Sequence, residues 1–170
     1  MSILAVPPPL QQLAVRIATA VVLSPEFMAR EIRAALRESV ADNGWLPSER
    51  RRASHENYAC HLLYGDPDGR FSILALVWDH GQMSSVHGHH TWCAVGVYSG
   101  ELTESHYREA ASAAPVLERT VSRCAGTLSF DPARSGIHRL ANDSGAVAVS
   151  LHVYGVAQEH ISTRVNRIFA

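Results

Sequence analysis

The chain reads as a mainly β domain, a jelly-roll barrel preceded by helices, and three observations predict it. From Tyr58 onward about eight short runs rich in Val, Ile, Leu, Tyr and Phe are separated by turns built on Gly, Asp, Asn or Pro. Ahead of them, residues 10–40 carry apolar side chains at roughly helical spacing. Histidines beside turn glycines, at His87, His89 and His138, belong near the mouth of a small barrel. At 170 residues the chain suits one domain, with residues 1–45 as a helical segment packed on a barrel of residues 58–170.

The first helix is expected over Leu10–Val22, a stretch rich in Ala, Leu, Ile and Val. Ser24-Pro25-Glu26 then supplies an N-cap, a proline at the first helical position and an acid in the first turn. The second helix is expected over Pro25–Val40, with Phe27, Ile32, Leu36 and Val40 as its core-facing stripe and Gly44 beyond its end. Strands follow at Cys60–Tyr64 and Phe71–Trp78, joined through Gly65-Asp66-Pro67-Asp68-Gly69. Further strands are expected at Trp92–Tyr98, Leu102–Tyr107, Val116–Ser122, Thr127–Phe130, Ile137–Leu140 and Ala146–Tyr154. No internal repeat or low-complexity tract interrupts the pattern.

Composition excludes several classes. Hydrophobic residues at 46% and charged ones at 18% describe a globular chain rather than a disordered one. A net charge of −1 gives no electrostatic basis for binding nucleic acid or an anionic membrane. All 15 basic residues are arginine, and the local run Arg50-Arg51-Arg52 reads as a solvated face. Cys60, Cys93 and Cys124 are odd in number and lack CxxC spacing, which points to a reducing compartment rather than a disulfide framework. Pro7-Pro8-Pro9 breaks the one apolar N-terminal stretch, and no run approaches the ~18 residues of a membrane span. The expected location is cytoplasmic.

The chemistry lies in the histidines. On a strand, His87 and His89 share one face with Cα atoms roughly 6.5–7 Å apart, within reach of one metal ion. His138, beside Gly136, offers a third imidazole from a neighbouring strand, and no Asp or Glu stands next to any of the three in the sequence. Three neutral nitrogen donors on one side of an ion leave positions open for substrate and oxygen. A solvated His-x-His strand is the bland alternative. By the same alternation Ser150, His152 and Tyr154 share one face, toward cavity or solvent, while Val147, Val149, Leu151 and Val153 pack on the layer outside.

Gly81-x5-His87-x-His89, a later Gly100 and Gly126, and Pro132-x3-Gly136-x-His138-x3-Asn142 together resemble the two motifs of the cupin superfamily. Cupins usually add a Glu about four residues after the second histidine, where this chain has Cys93. That departure resembles the thiol dioxygenases, comprising cysteine dioxygenase type I and the related 3-mercaptopropionate dioxygenases, over about Tyr58–Tyr154. The resemblance implies a cupin barrel, an Fe(II) ion held by His87, His89 and His138, and the line Ser150-His152-Tyr154 beside it with the tyrosine hydroxyl in the site. It implies the conversion of a small thiol to its sulfinate with both atoms of O2. Three neutral imidazoles would leave the ion its full double charge, which favours a thiolate ligand.

Substrate recognition departs from the mammalian pattern, because Tyr58-Ala59-Cys60-His61-Leu62-Leu63-Tyr64 lacks the arginine found on that strand there. As in the mercaptopropionate branch, arginines follow the tyrosine, and Arg164 or Arg167 is the candidate carboxylate clamp. A plain surface arginine is the alternative at either position. Cys93 stands where the mammalian enzymes carry a cysteine thioether-linked to the site tyrosine, so a Cys93–Tyr154 crosslink and a buried free thiol are both open. Two other functions compete: a non-catalytic cupin sensor of metal or small ligand, and a three-histidine zinc hydrolase. The hydrolase lacks an evident base, as Glu101 and Glu104 look solvated after their turn.

Overall fold

Pro8 opens α1 (Pro8–Ala20), which buries Leu10, Leu13, Ala14, Ile17 and Ala20 along one stripe. The computed structural model describes residues 6–42, 44–110 and 113–169, so residues 1–5 of the expected helical segment lie outside the described residues. Helix α2 (Pro25–Ala41) starts where the Ser24-Pro25 signal puts it, although the Ser24 side chain makes no capping bond. Its stripe is Ile32, Leu36 and Val40 with Ala35 and Ser39. Phe27 is a correction to the expected stripe. Five residues before Ile32 it falls off the helical period, is 50% exposed and lies under the Arg30 guanidinium, 4.8 Å from its ring.

Among the described residues ten strands follow: β1 (Ala59–Gly65), β2 (Ser72–Trp78), β3 (His87–His89), β4 (Cys93–Ser99), β5 (Glu101–Ala110), β6 (Ala113–Cys124), β7 (Leu128–Asp131), β8 (Ile137–Ala141), β9 (Ala148–Tyr154) and, after the short helix α3 (Ile161–Arg164), β10 (Asn166–Ile168). They form two five-stranded sheets in the orders β1-β2-β9-β4-β7 and β10-β3-β8-β5-β6. Helix α3 and strand β10 have no counterpart in the sequence reading, because four- and three-residue elements are too short to show a period.

Strand β2 is buried on both faces, which explains its unbroken apolar run. Ile73, Ala75 and Val77 join Leu13, Ile17, Ile32 and Leu36 in a core between the helices and the first sheet. Leu74, Leu76 and Trp78 face the barrel interior with Val95, Val97, Leu102 and Leu140. Each Leu or Ile fully buried in these layers contributes roughly 1.5–3 kcal/mol. Strand β9 alternates in the same way, with Val149, Leu151 and Val153 toward the helices. Gly100 turns β4 into β5 at a φ of 77°, and a Cβ there would come within 2.8 Å of Ala148 Cα. Among the described residues no helix is long and apolar enough to cross a membrane.

Candidate metal centre

His87 and His89 point into the barrel from β3, and His138 stands directly opposite His87 on β8. One ligand nitrogen from each lies within 4.8 Å of the others, and all three residues are buried. Gly88 is the necessary residue between them, because a Cβ there would come within 2.6 Å of the Gly136 carbonyl oxygen. The ring nitrogens are sorted by their partners. His87 Nδ1 donates to the Ser85 carbonyl at 2.9 Å, His89 Nδ1 to Asp131 at 3.0 Å and His138 Nδ1 to Glu104 at 2.9 Å. Acceptors at every Nδ1 fix the proton there and leave Nε2 of each ring as a free lone pair. Among the described residues His138 Nε2 is buried without a partner, as an atom meant for an ion would be. The residues present therefore fit a divalent metal.

The carboxylates correct the sequence reading. None adjoins the histidines in sequence, yet two reach them from other strands, and Glu104, expected to be solvated, is 3% exposed. On β5 it shares the face of buried Leu102 and so points inward, where Arg123 clamps one of its oxygens at 2.6 and 2.7 Å while the other accepts from His138. Held ionised at about 2 by these partners, it is too weak a base to serve hydrolysis. Asp131, opposite Cys93 on β7, accepts from His89 and from the Ser135 hydroxyl. The ion would not sit among wholly neutral groups, since Asp131 adds negative charge behind His89 while Arg123 offsets that of Glu104. Carboxylates placed so orient their imidazoles and strengthen them as donors. Glu104→Gln is expected to weaken metal affinity roughly 10- to 100-fold in chelator competition; unchanged affinity would show that packing alone orients His138.

Burial governs the protonation of the site. It pushes His87 down to about 3 from 6.5, aided by His138, and pushes His152 down to about 3 as well, aided by His89. Burial alone would raise Glu104, but the hydrogen bond and charge of His138 and the charge of Arg123 outweigh it and hold Glu104 at about 2. For the two histidines the unfolded chain binds more protons below pH 6.5, so their stabilisation is complete above that value and is lost as pH falls toward 3. The urea midpoint of metal-free protein is expected to fall between about pH 7 and about pH 4 by the equivalent of a few kcal/mol. A flat midpoint across that range would contradict the buried neutral pair.

On β9 the expected polar line faces inward. Ser150 Oγ lies 2.9 Å from His152 Nε2, and His152 Nδ1 lies 3.0 Å from the Tyr154 hydroxyl. The Tyr154 ring is centred 5.8 Å from that of His89, which brings the line to the histidine cluster. Cys93 is 1% exposed and is the cross-strand partner of Tyr154. Burial raises both its thiol and the Tyr154 phenol well above their ordinary values, so both stay protonated.

The two arginines differ. Arg167 stands opposite Gly88 on β10, on the face turned away from His87 and His89. Its guanidinium pairs with Glu109 at 2.5 Å and covers the Phe169 ring at 4.4 Å, so the structure does not bring it to the histidines. Arg164 ends α3 with an exposed side chain. Its neighbours Ile161 and Val165 pack against the interior cluster that contains Tyr154, and the Val165 carbonyl accepts from His90 N–H at 2.8 Å.

The family profile described as Cysteine dioxygenase type I matches residues 27–163, most of the chain. This chain belongs to the cysteine dioxygenase type I family. Membership places it among thiol dioxygenases of the cupin type, with the two-sheet barrel described above, and its three-histidine cluster is consistent with metal binding. The match ends one residue short of Arg164 and leaves β10 outside. Solved structures similar to it include the TT1209 protein of Thermus thermophilus, with 22% identity over 65% of this chain and 95% of that one at a TM-score of 0.50. A variant of Bacillus subtilis oxalate decarboxylase shares 15% identity over 67% of this chain and 30% of that one at a TM-score of 0.51. Those two likenesses are of fold alone. A cupin superfamily protein of Desulfitobacterium hafniense matches at 13% identity over 62% of this chain and 83% of that one, TM-score 0.48.

Proposed function

We propose that this member of the family is an iron-dependent thiol dioxygenase that oxidises a small thiol carboxylic acid, of the cysteine or 3-mercaptopropionate type, to its sulfinic acid. The observation that supports this most is the cluster of three buried histidines, each with Nδ1 engaged by an acceptor, beside the Ser150–His152–Tyr154 line. Fe(II) held by His87, His89 and His138 would supply the redox chemistry by which both atoms of O2 pass to sulfur, R–SH + O2 giving R–SO2H. The chain itself binds, orients and dries. Leu74, Val95 and Leu102 line an apolar interior that excludes water, and the Tyr154 hydroxyl is placed to hydrogen-bond substrate or oxygen. The Cys93–Tyr154 thioether belongs to the same proposal, with O2, the co-substrate, as the oxidant that takes up the hydrogens lost from the thiol and the ring, and their cross-strand pairing supports it.

Arg164 is the proposed carboxylate clamp, because it is followed by Val165, which packs in the cluster containing Tyr154, while Arg167 is committed to Glu109. Protein purified without metal, loaded with Fe(II) or Zn(II), is tested by O2 uptake and sulfinate formation on cysteine, 3-mercaptopropionate, mercaptosuccinate and cysteamine. Uptake with iron alone, matched by sulfinate from a carboxylated thiol, is expected. No uptake with any thiol would overturn the reading in favour of a binding module, and hydrolytic activity with zinc would favour the hydrolase. Arg164→Ala is expected to raise KM for the carboxylated thiol roughly 10- to 100-fold and to leave cysteamine nearly unchanged. Equal effects on both would remove the clamp.

A further inference from the structure

We propose that Trp78 is a positioning residue that sets the direction of the hydrogen bonds along Ser150, His152 and Tyr154, so that the Tyr154 hydroxyl proton points into the site. Trp78 lies on β2 opposite Ala148, and its indole reaches diagonally to Ser150, donating from Nε1 to Ser150 Oγ at 2.9 Å. An indole N–H can only donate. Ser150 is fully buried, and among the described residues its Oγ contacts only Trp78 and His152.

Two directions are conceivable, and the indole separates them. In one, Ser150 accepts from Trp78 and donates to His152 Nε2, His152 Nδ1–H donates to the Tyr154 oxygen, and the Tyr154 O–H is left to donate into the site. In the other, Tyr154 donates to His152 Nδ1 and His152 Nε2–H donates to Ser150, whose own O–H then faces two donors and has no acceptor. A buried hydroxyl without an acceptor is the costly arrangement, so the first direction prevails. Trp78 is itself held fast: it is 1% exposed, stacks on Tyr58 with ring centres 4.4 Å apart at 28°, and its carbonyl accepts from Asn142 Nδ2 at 2.9 Å. A fixed donor at the far end thus makes Tyr154 a hydrogen-bond donor rather than a base toward whatever binds beside it.

The kinetic part of the test rests on the proposed dioxygenase activity; the spectroscopic part does not. Nitrogen-15 NMR of the metal-free protein reads the His152 tautomer directly, and the proton is expected on Nδ1. Trp78→Phe keeps a ring against Tyr58 and removes the donor, and it is expected to shift His152 toward a mixture of tautomers. In the iron-loaded protein the same variant is expected to lower kcat about tenfold with KM for the thiol within about twofold. Ser150→Ala should lower kcat by itself and make the further Trp78→Phe change silent, because the indole acts only through Ser150. A wild-type His152 protonated on Nε2 overturns the proposal even if Trp78→Phe fails to fold. So does a Trp78→Phe protein with wild-type tautomer and turnover. Absence of any thiol oxidation by wild-type protein, with the tautomer on Nδ1, would overturn the dioxygenase reading and leave this one standing.

Discussion

His138→Ala is expected to leave the protein without retained metal and without thiol-dependent O2 uptake, while the metal-free fold survives. Two imidazoles on one short strand cannot replace three converging from two strands, and the loss should exceed the roughly 100-fold that an outer hydrogen-bond partner accounts for. The removed ring is also the hydrogen-bond donor to Glu104, but Arg123 still neutralises that carboxylate, so no bare buried charge is left behind. Metal analysis after Fe(II) loading and a urea melt of the metal-free protein separate the two effects. Stoichiometric iron in His138→Ala would place the centre elsewhere.

Tyr154→Phe is expected to keep the iron and lose the rate. Among the described residues the phenol's hydrogen-bond partner is His152, not a metal-binding histidine, and Cys93 stands opposite it on β4. Removing one donor aimed at the reacting groups should lower kcat on the order of 100-fold, with iron content unchanged. Cys93→Ala is the matched control, because it removes any thioether while keeping the hydroxyl. If Tyr154→Phe turns over normally, the Ser150–His152–Tyr154 line is a structural prop and the oxygenase proposal loses its main chemical support.

Period-two alternation makes much of this legible in the sequence. It puts His87 and His89 on one face, Ser150, His152 and Tyr154 on another, and the valines of β9 on the opposite side against the helices. The same rule counted from Leu102 turns Glu104 inward, whereas its closeness to a turn suggests solvent; alternation is the stronger guide there. Asp131 is harder to find, since its place depends on the register of β7 against β4, which pairs it with Cys93. Phe27 departs from its expected stripe by one position of helical phase. Arg164 and Arg167 look alike as sequence, because only the register of the three-residue β10 against β3 turns Arg167 away from the histidines.

The first sheet is one peptide layer thick between two cores, and β9 carries the tyrosine line on one side and the helix-facing valines on the other. Dense packing passes displacement on rather than absorbing it. The helical hairpin is therefore a mould for the site: Leu36 and Val40 close on Gly96 of β4, so their volumes set how far β4, which carries Cys93 opposite Tyr154, can bow outward. Relatives with a different helical layer should differ in the size of thiol they accept even where every residue around the metal is the same.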